Sequence, residues 1–136
     1  MEFMFCNATH FNQPIGSWNV RKVKSLQGMF HGATDFNQPL ADWDTRSVEN
    51  MDSMFYAAAR FSQALGDWDT RSVRSMRRMF WDASAFNQPL AGWDVANVSA
   101  MGGMFVGAES FHQPRVGWLR ERAEEICLLR IPKPRR

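Results

Sequence analysis

The chain lacks the residue patterns from which most enzymes and metalloproteins build their sites. Its two cysteines, Cys6 and Cys127, lie near opposite ends, so they support neither a disulfide framework nor a metal-ligand spacing. Its three histidines form no triad or ligand pattern with cysteine or aspartate. These absences argue against an enzyme and predict no metal and no other cofactor.

Long apolar runs and charge of one sign are also missing. No run approaches the ~18 apolar residues of a membrane-spanning helix, and no signal peptide is recognised at the start. Residues 1–118 carry ten Lys and Arg against eleven Asp and Glu, whereas residues 119–136 carry six against three. This near-neutral body argues against a nucleic-acid-binding surface.

What the chain does contain is a repeat of 25 residues. Its two clearest columns are Phe11, Phe36, Phe61, Phe86 and Phe111, and Trp18, Trp43, Trp68, Trp93 and Trp118. A fixed period of this length indicates an array in which like side chains overlie one another and seal a shared core. The recurring methionines are interpreted as core residues rather than soft-metal ligands, because helical spacing accounts for them.

Each unit is predicted to hold a short helix followed by an extended segment. The residues with helical spacing in one unit are Val48, Met51, Met54, Phe55 and Ala58. The Asn-Gln-Pro sequence at 37–39 predicts a turn, and residues 40–45 allow only a very short strand. Since packed helices need about 8–10 Å and paired strands about 4.8 Å, the stack should curve with its helices on the convex side. We expect the recurring glutamines to bond to turn backbone in the neighbouring unit.

The repeat occupies residues 1–118, and its first unit is partial. Met1 falls in the middle of a unit, which favours a piece of a longer protein over a frayed first unit. Residues 119–136 leave the pattern and predict a C-terminal capping helix and a basic tail.

Charged residues recur as well. An aspartate column and an arginine column lie two positions apart: Asp44, Asp69 and Asp94, and Arg21, Arg46 and Arg71. The aspartates are expected to pair with the arginines or to cap the helices, and calcium binding is a third possibility. Alternating signs in the column of Lys24, Glu49 and Arg74 predict ion pairs between units.

Two sets of residues are candidates for contact with a protein partner. The first is the column that varies most directly after Met-Phe, namely His31, Tyr56, Trp81 and Val106. The second is the basic cluster Arg71, Arg74, Arg77 and Arg78. Exposed aromatic and arginine side chains make natural interface anchors, although the column could instead pack against neighbouring units and the arginines could form ion pairs.

The repeat motif resembles that of a known family. Met-Phe-x-x-Ala-x-x-Phe-Asn-Gln-Pro-Leu-x-x-Trp-Asp, at residues 79–94, is similar to the 25-residue repeat of BspA-family leucine-rich-repeat surface proteins, which also occurs in mycoplasma surface lipoproteins. The resemblance covers residues 1–118 and implies an α/β, right-handed leucine-rich-repeat-like solenoid of about five coils. It also implies an extracellular or cell-surface location, although this sequence shows no secretion signal and no lipid-anchor cysteine near one.

The functional expectation is a non-enzymatic module for protein interaction or adhesion. The alternatives are a purely structural spacer array, in which units associate end to end, and a weak binder of an anionic polymer through Arg71–Arg78. The expected partners are therefore another protein or the chain's own neighbouring repeats, with no nucleic acid.

Overall fold

The computed structural model describes residues 1–126. Its repeat units are layered on one another, each unit contacting the next at positions 25 residues apart. Regular secondary structure is sparse: the described part of the chain has one helix, α1 (Gly117–Glu121), and isolated parallel bridges. These bridges link Ser25 to Asn50, Asn50 to Ser75, and Ser75 to Ala100.

A ladder of backbone hydrogen bonds joins the layers. The N–H groups of Phe5, Phe30, Phe55 and Phe80 each donate to a methionine carbonyl 24 residues further on, at 2.9 Å in every case. In the first half of each unit this donation repeats at every second residue, as at Gly28, Phe30 and Gly32. Alternate N–H groups therefore leave the unit, as they do in a β ladder, rather than closing helical turns within it.

The predicted fold class is wrong in its elements. No helix-plus-strand coil occurs within residues 1–126, so neither the α/β class nor the leucine-rich-repeat-like solenoid of such coils holds. The segment predicted as helical, at 48–58, is a pair of tight turns with Ser53 and Ala57 at φ of 55° and 58°. A right-handed helix cannot pass through left-handed residues, and the helices expected on a convex face are therefore absent from this segment.

The apolar columns nevertheless form one continuous core. Phe30 and Phe55 stack with ring centroids 5.5 Å apart, and Trp43 and Trp68 stack at 6.3 Å with planes 5° apart. The methionine and alanine columns of the later units are also buried. The prediction that like side chains overlie one another around a shared core is confirmed, and it does not depend on helices or strands.

The glutamine prediction is also confirmed. Gln38 Nε2 donates to the carbonyl of Asn12 at 3.2 Å, and Gln63 and Gln88 repeat the contact one unit further along. Each amide thus ties the second half of a unit to the unit before it, in the opposite direction to the ladder of the first half.

The C-terminal segment covers the last unit. Trp118 and Leu119 of α1 are buried, as is Ile126. The Arg122 guanidinium donates to the carbonyl of Val98 at 2.8 Å, and Gly103 N–H donates to the carbonyl of Glu125 at 3.2 Å. α1 overlaps the start of the predicted capping segment, whereas the basic tail and Cys127 lie outside the described residues.

Candidate protein-interaction surface

The variable aromatic column forms a stack of its own at the side of the molecule. The rings of His31 and Tyr56 are parallel with centroids 4.5 Å apart, and Tyr56 and Trp81 follow at 5.9 Å. All three are half-buried, and so is Val106 at the end of the column. Because the ring faces lie against one another, the edges of these rings are what a partner could meet.

His31 occupies the least accessible place in this column. Its Nδ1 atom is buried and has no hydrogen-bond partner among residues 1–126. The opposite face of Trp81 is approached by Arg78, whose guanidinium carbon lies 5.5 Å from the ring centroid. A guanidinium at this distance from an indole makes a cation–π contact.

That contact brings the two predicted sets of contact residues together. Tyr56, Trp81 and Arg78 form one continuous surface, which we name the Trp81 surface. Arg78 is held in the left-handed region at φ 53°, so its side chain leaves the backbone from a fixed turn. The link between a stacking column and an arginine cluster could not be read from spacing alone, because it depends on this turn.

The other three arginines of the cluster have carboxylate neighbours. Arg71 Nη2 lies 2.8 Å from Asp69, Arg74 lies 4.0 Å from Glu49, and Arg77 lies 4.0 Å from Asp52. The last two pairs join successive units, as the alternating charge columns predict. All four arginine side chains are exposed, so these pairs are solvated and individually weak.

The aspartate column serves the turns. Asp69 Oδ1 accepts the backbone N–H of Arg71 at 3.1 Å while its carboxylate also accepts from the Arg71 guanidinium, and Asp44 and Arg46 repeat this arrangement. The hydrogen bond from the Arg71 side chain lowers the pKa of Asp69, and that from Arg46 lowers the pKa of Asp44. Of the expected roles, pairing with arginine is present, and the capped backbone belongs to a turn instead of a helix.

Sites of other kinds were also sought. Within residues 1–126, no three His, Cys, Asp or Glu side chains gather closely enough to hold a metal ion. The same part of the chain has no helix that is long and apolar enough to cross a membrane. A shallow depression lined by Ala41, Ala64 and Pro89 is mostly apolar and has one carboxylate, that of Asp67, at its edge.

Sequence reasoning did not single out the N-terminal face of the stack. Phe3, Met4 and Trp18 are the large apolar residues that the described structure leaves exposed. The signal was present in the sequence, since a core column that begins with the first unit must have one uncovered member at its start.

The comparisons with known proteins give one match. The sequence profile of a protein family matches residues 1–80 and again residues 39–127, and the family is described as Mycoplasma protein of unknown function, DUF285. No curated protein and no solved structure matches the chain.

Proposed function

The chain belongs to this family, and from the Trp81 surface we propose that it is a non-enzymatic repeat module that binds proteins at a cell surface. The observation that carries the proposal is the contact of Arg78 with Trp81, next to Tyr56. Tryptophan, tyrosine and arginine are the residues most enriched among interface hot spots.

The rigidity of the surface supports this role. Tyr56 and Trp81 are fixed by stacking, and the turn that carries Arg78 is bonded to the next unit through its N–H at 3.0 Å from the carbonyl of Gly102. Side chains that are ordered before binding lose less conformational entropy when a partner arrives. The resemblance of the repeat to BspA-family surface proteins supports the extracellular location and the role in adhesion.

Beads coated with the chain provide the test, with cultured animal cells as the target. We expect the beads to adhere, and we expect trypsin treatment of the cells to abolish adhesion, because the partner is a protein. The double variant W81S/R78Q should bind about tenfold less, since truncation of a hot-spot residue costs roughly 2 kcal/mol or more. R115Q/A91S, which changes two exposed residues elsewhere, is the matched control and should adhere like the parent.

Two results would contradict the proposal. Adhesion no greater than that of albumin-coated beads would remove it. Adhesion that survives trypsin but disappears after enzymatic removal of sulfated glycans, and in high salt, would favour the anionic polymer instead.

A structural spacer is the second candidate, favoured by the ladder that joins the units from Phe3 to Gly102. A spacer needs length and stiffness and makes no use of the Trp81 surface. Equal adhesion by the parent and by W81S/R78Q would support it.

A further inference from the structure

The N-terminal face of the stack is an open apolar surface. Phe3, Met4 and Trp18 are exposed by 49%, 48% and 37%, whereas the methionines and tryptophans of the same columns in later units are at most 8% exposed. Phe5 and Phe11, which stack on each other at 3.8 Å, are half-buried on the same face. We name this surface, comprising Phe3, Met4, Phe5, Phe11 and Trp18, the open face.

The opposite end of the stack is closed. Trp118, Leu119 and Ile126 are buried, and the segment that contains them is bonded to the last unit through Arg122 and Glu125. Phe105 and Phe111, the last members of the phenylalanine columns, have no exposed surface. Residues 1–126 thus present one open apolar end and one covered end.

Hydrogen-bonding groups on the open face are divided between its two halves. In the first half, the carbonyls of Glu2, Met4 and Cys6 accept no hydrogen bond from the described residues, although their counterparts at 27, 29 and 31 each accept one. In the second half, the missing partners are acceptors. Three donors are free there among residues 1–126: the N–H of Asn12, the Gln13 amide and the Trp18 indole N–H.

A surface with acceptors on one side and donors on the other can pair with itself. A two-fold axis that lies in the face, between its halves, places the acceptor side of one copy over the donor side of the other. The same rotation brings the exposed apolar side chains of both copies out of water. Stacking in one direction from copy to copy would instead require the covering segment to leave Trp118 and Leu119.

We propose that the open face binds the open face of a second copy of this chain, giving a two-fold symmetric dimer. Because the covered end takes no part, association stops at two molecules and does not continue into a filament. The interaction is independent of the Trp81 surface, which lies on the side of the stack and remains available to another partner in each copy.

Sedimentation equilibrium of the 136-residue chain over a wide concentration range tests the proposal. The expected result is a reversible monomer–dimer equilibrium without larger species. A monomer at every concentration would overturn the proposal, and so would polymers that lengthen with concentration, which indicate stacking in one direction.

Variants of the open face identify the surface. F3E places a charge among the exposed apolar side chains, and W18S removes both apolar area and a donor; each should weaken the dimer by about tenfold to a hundredfold. A91E adds the same charge at an exposed alanine on the side of the stack and should leave the dimer unchanged. Near-UV circular dichroism reports whether each variant keeps its aromatic stacks.

The outcome for W81S/R78Q separates the two proposals. This variant should dimerise like the parent even where it fails to adhere to cells. Dimerisation lost in W81S/R78Q but retained in F3E and W18S would contradict the assignment of the open face.

Discussion

At the scale of single residues, the buried tryptophans combine two interactions. Each indole stacks on its neighbour, and each N–H donates to a carbonyl 28 residues earlier, as Trp68 does to Leu40 at 2.9 Å. The Leu40 carbonyl also accepts the backbone N–H of Trp43 at 3.1 Å. One carbonyl therefore joins a turn of its own unit to the core of the next, which explains why a tryptophan serves here better than another phenylalanine.

The variant W68F tests the contribution of this hydrogen bond. The ring remains apolar while the donor is lost, so the free energy of unfolding should fall by about 1 kcal/mol for the bond, plus a smaller amount for the lost ring volume. W18F is the matched control because the Trp18 indole N–H has no partner within residues 1–126. Chemical denaturation measures both variants, and an equal effect in the two would contradict the role given to the bond.

The Asp69–Arg71 pair predicts a change of stability with pH. The Arg71 hydrogen bond lowers the folded-state pKa of Asp69 below its ordinary value of 3.8. The contribution of the pair is therefore fully present above the unfolded-state pKa, and it is lost as the pH falls through the lowered folded-state pKa. Thermal unfolding of R71Q should show a smaller loss of Tm on acidification below about pH 4 than the parent shows.

R115Q serves as the control for this pH experiment, because Arg115 has no ion pair among the described residues. Its unfolding temperature should follow the parent at every pH. A parallel acid dependence in R71Q and the parent would show that Asp69 does not gain stability from this arginine.

At the scale of the element, the 25-residue unit owes its course to two left-handed positions, four residues apart. The first column has φ between 53° and 66° and the second between 55° and 74° in every unit. The first column is Phe3, Gly28, Ser53, Arg78 and Gly103, and the second is Asn7, Gly32, Ala57, Asp82 and Gly107. Glycine, asparagine and aspartate are the residues that adopt this conformation most readily.

These columns also explain what could and could not be predicted. The core could be, because the period of 25 alone brings Phe30 onto Phe55 whatever the backbone does between them. The helix prediction was wrong because apolar residues at helical spacing fit two successive turns equally well. Gly28 and Gly32, repeated at Gly103 and Gly107, were the signal for left-handed turns.

The same distinction applies to the candidate surfaces. The contact column and the arginine cluster were chosen from exposure patterns, and whether they bind a partner stays a prediction. Their junction at Arg78 and Trp81 required the geometry of a turn that no spacing rule supplies.

The second left-handed column permits a test with opposite signs. A57G removes the strain of a left-handed alanine, worth about 1–2 kcal/mol, against about 0.4–1 kcal/mol of unfolded-state entropy, so the variant should be slightly more stable. G107A introduces that strain, and the added methyl group would also meet the carboxylate of Asp82, so it should lose about 2 kcal/mol or more. Denaturant unfolding curves measure both, and destabilisation by A57G would contradict the account of the turn.

At the scale of the whole molecule, the hydrogen bonds between units run in opposite directions in the two halves of each unit. The first half donates forward, as Phe55 does to Met79, and the second half donates backward, as Gln63 does to Asn37. No unit is self-sufficient, because an isolated unit would leave donors and acceptors unpaired on both of its faces. Stability in such an array is a sum of contacts between neighbours, and it is greatest where a unit has a neighbour on each side.

Position in the stack should therefore decide the effect of one and the same substitution. Phe61 is fully buried between Phe36 and Phe86, with ring centroids 5.8 and 6.1 Å away, whereas Phe11 has a single neighbour of its column, Phe36 at 5.6 Å. F61A should lower the free energy of unfolding by roughly 3–5 kcal/mol and weaken the units on both sides. F11A should cost clearly less, and amide hydrogen exchange should show its opening confined to the first unit. Global unfolding of equal size in the two variants would mean that the layers unfold as one block, and that the open face is as firmly held as the middle of the stack.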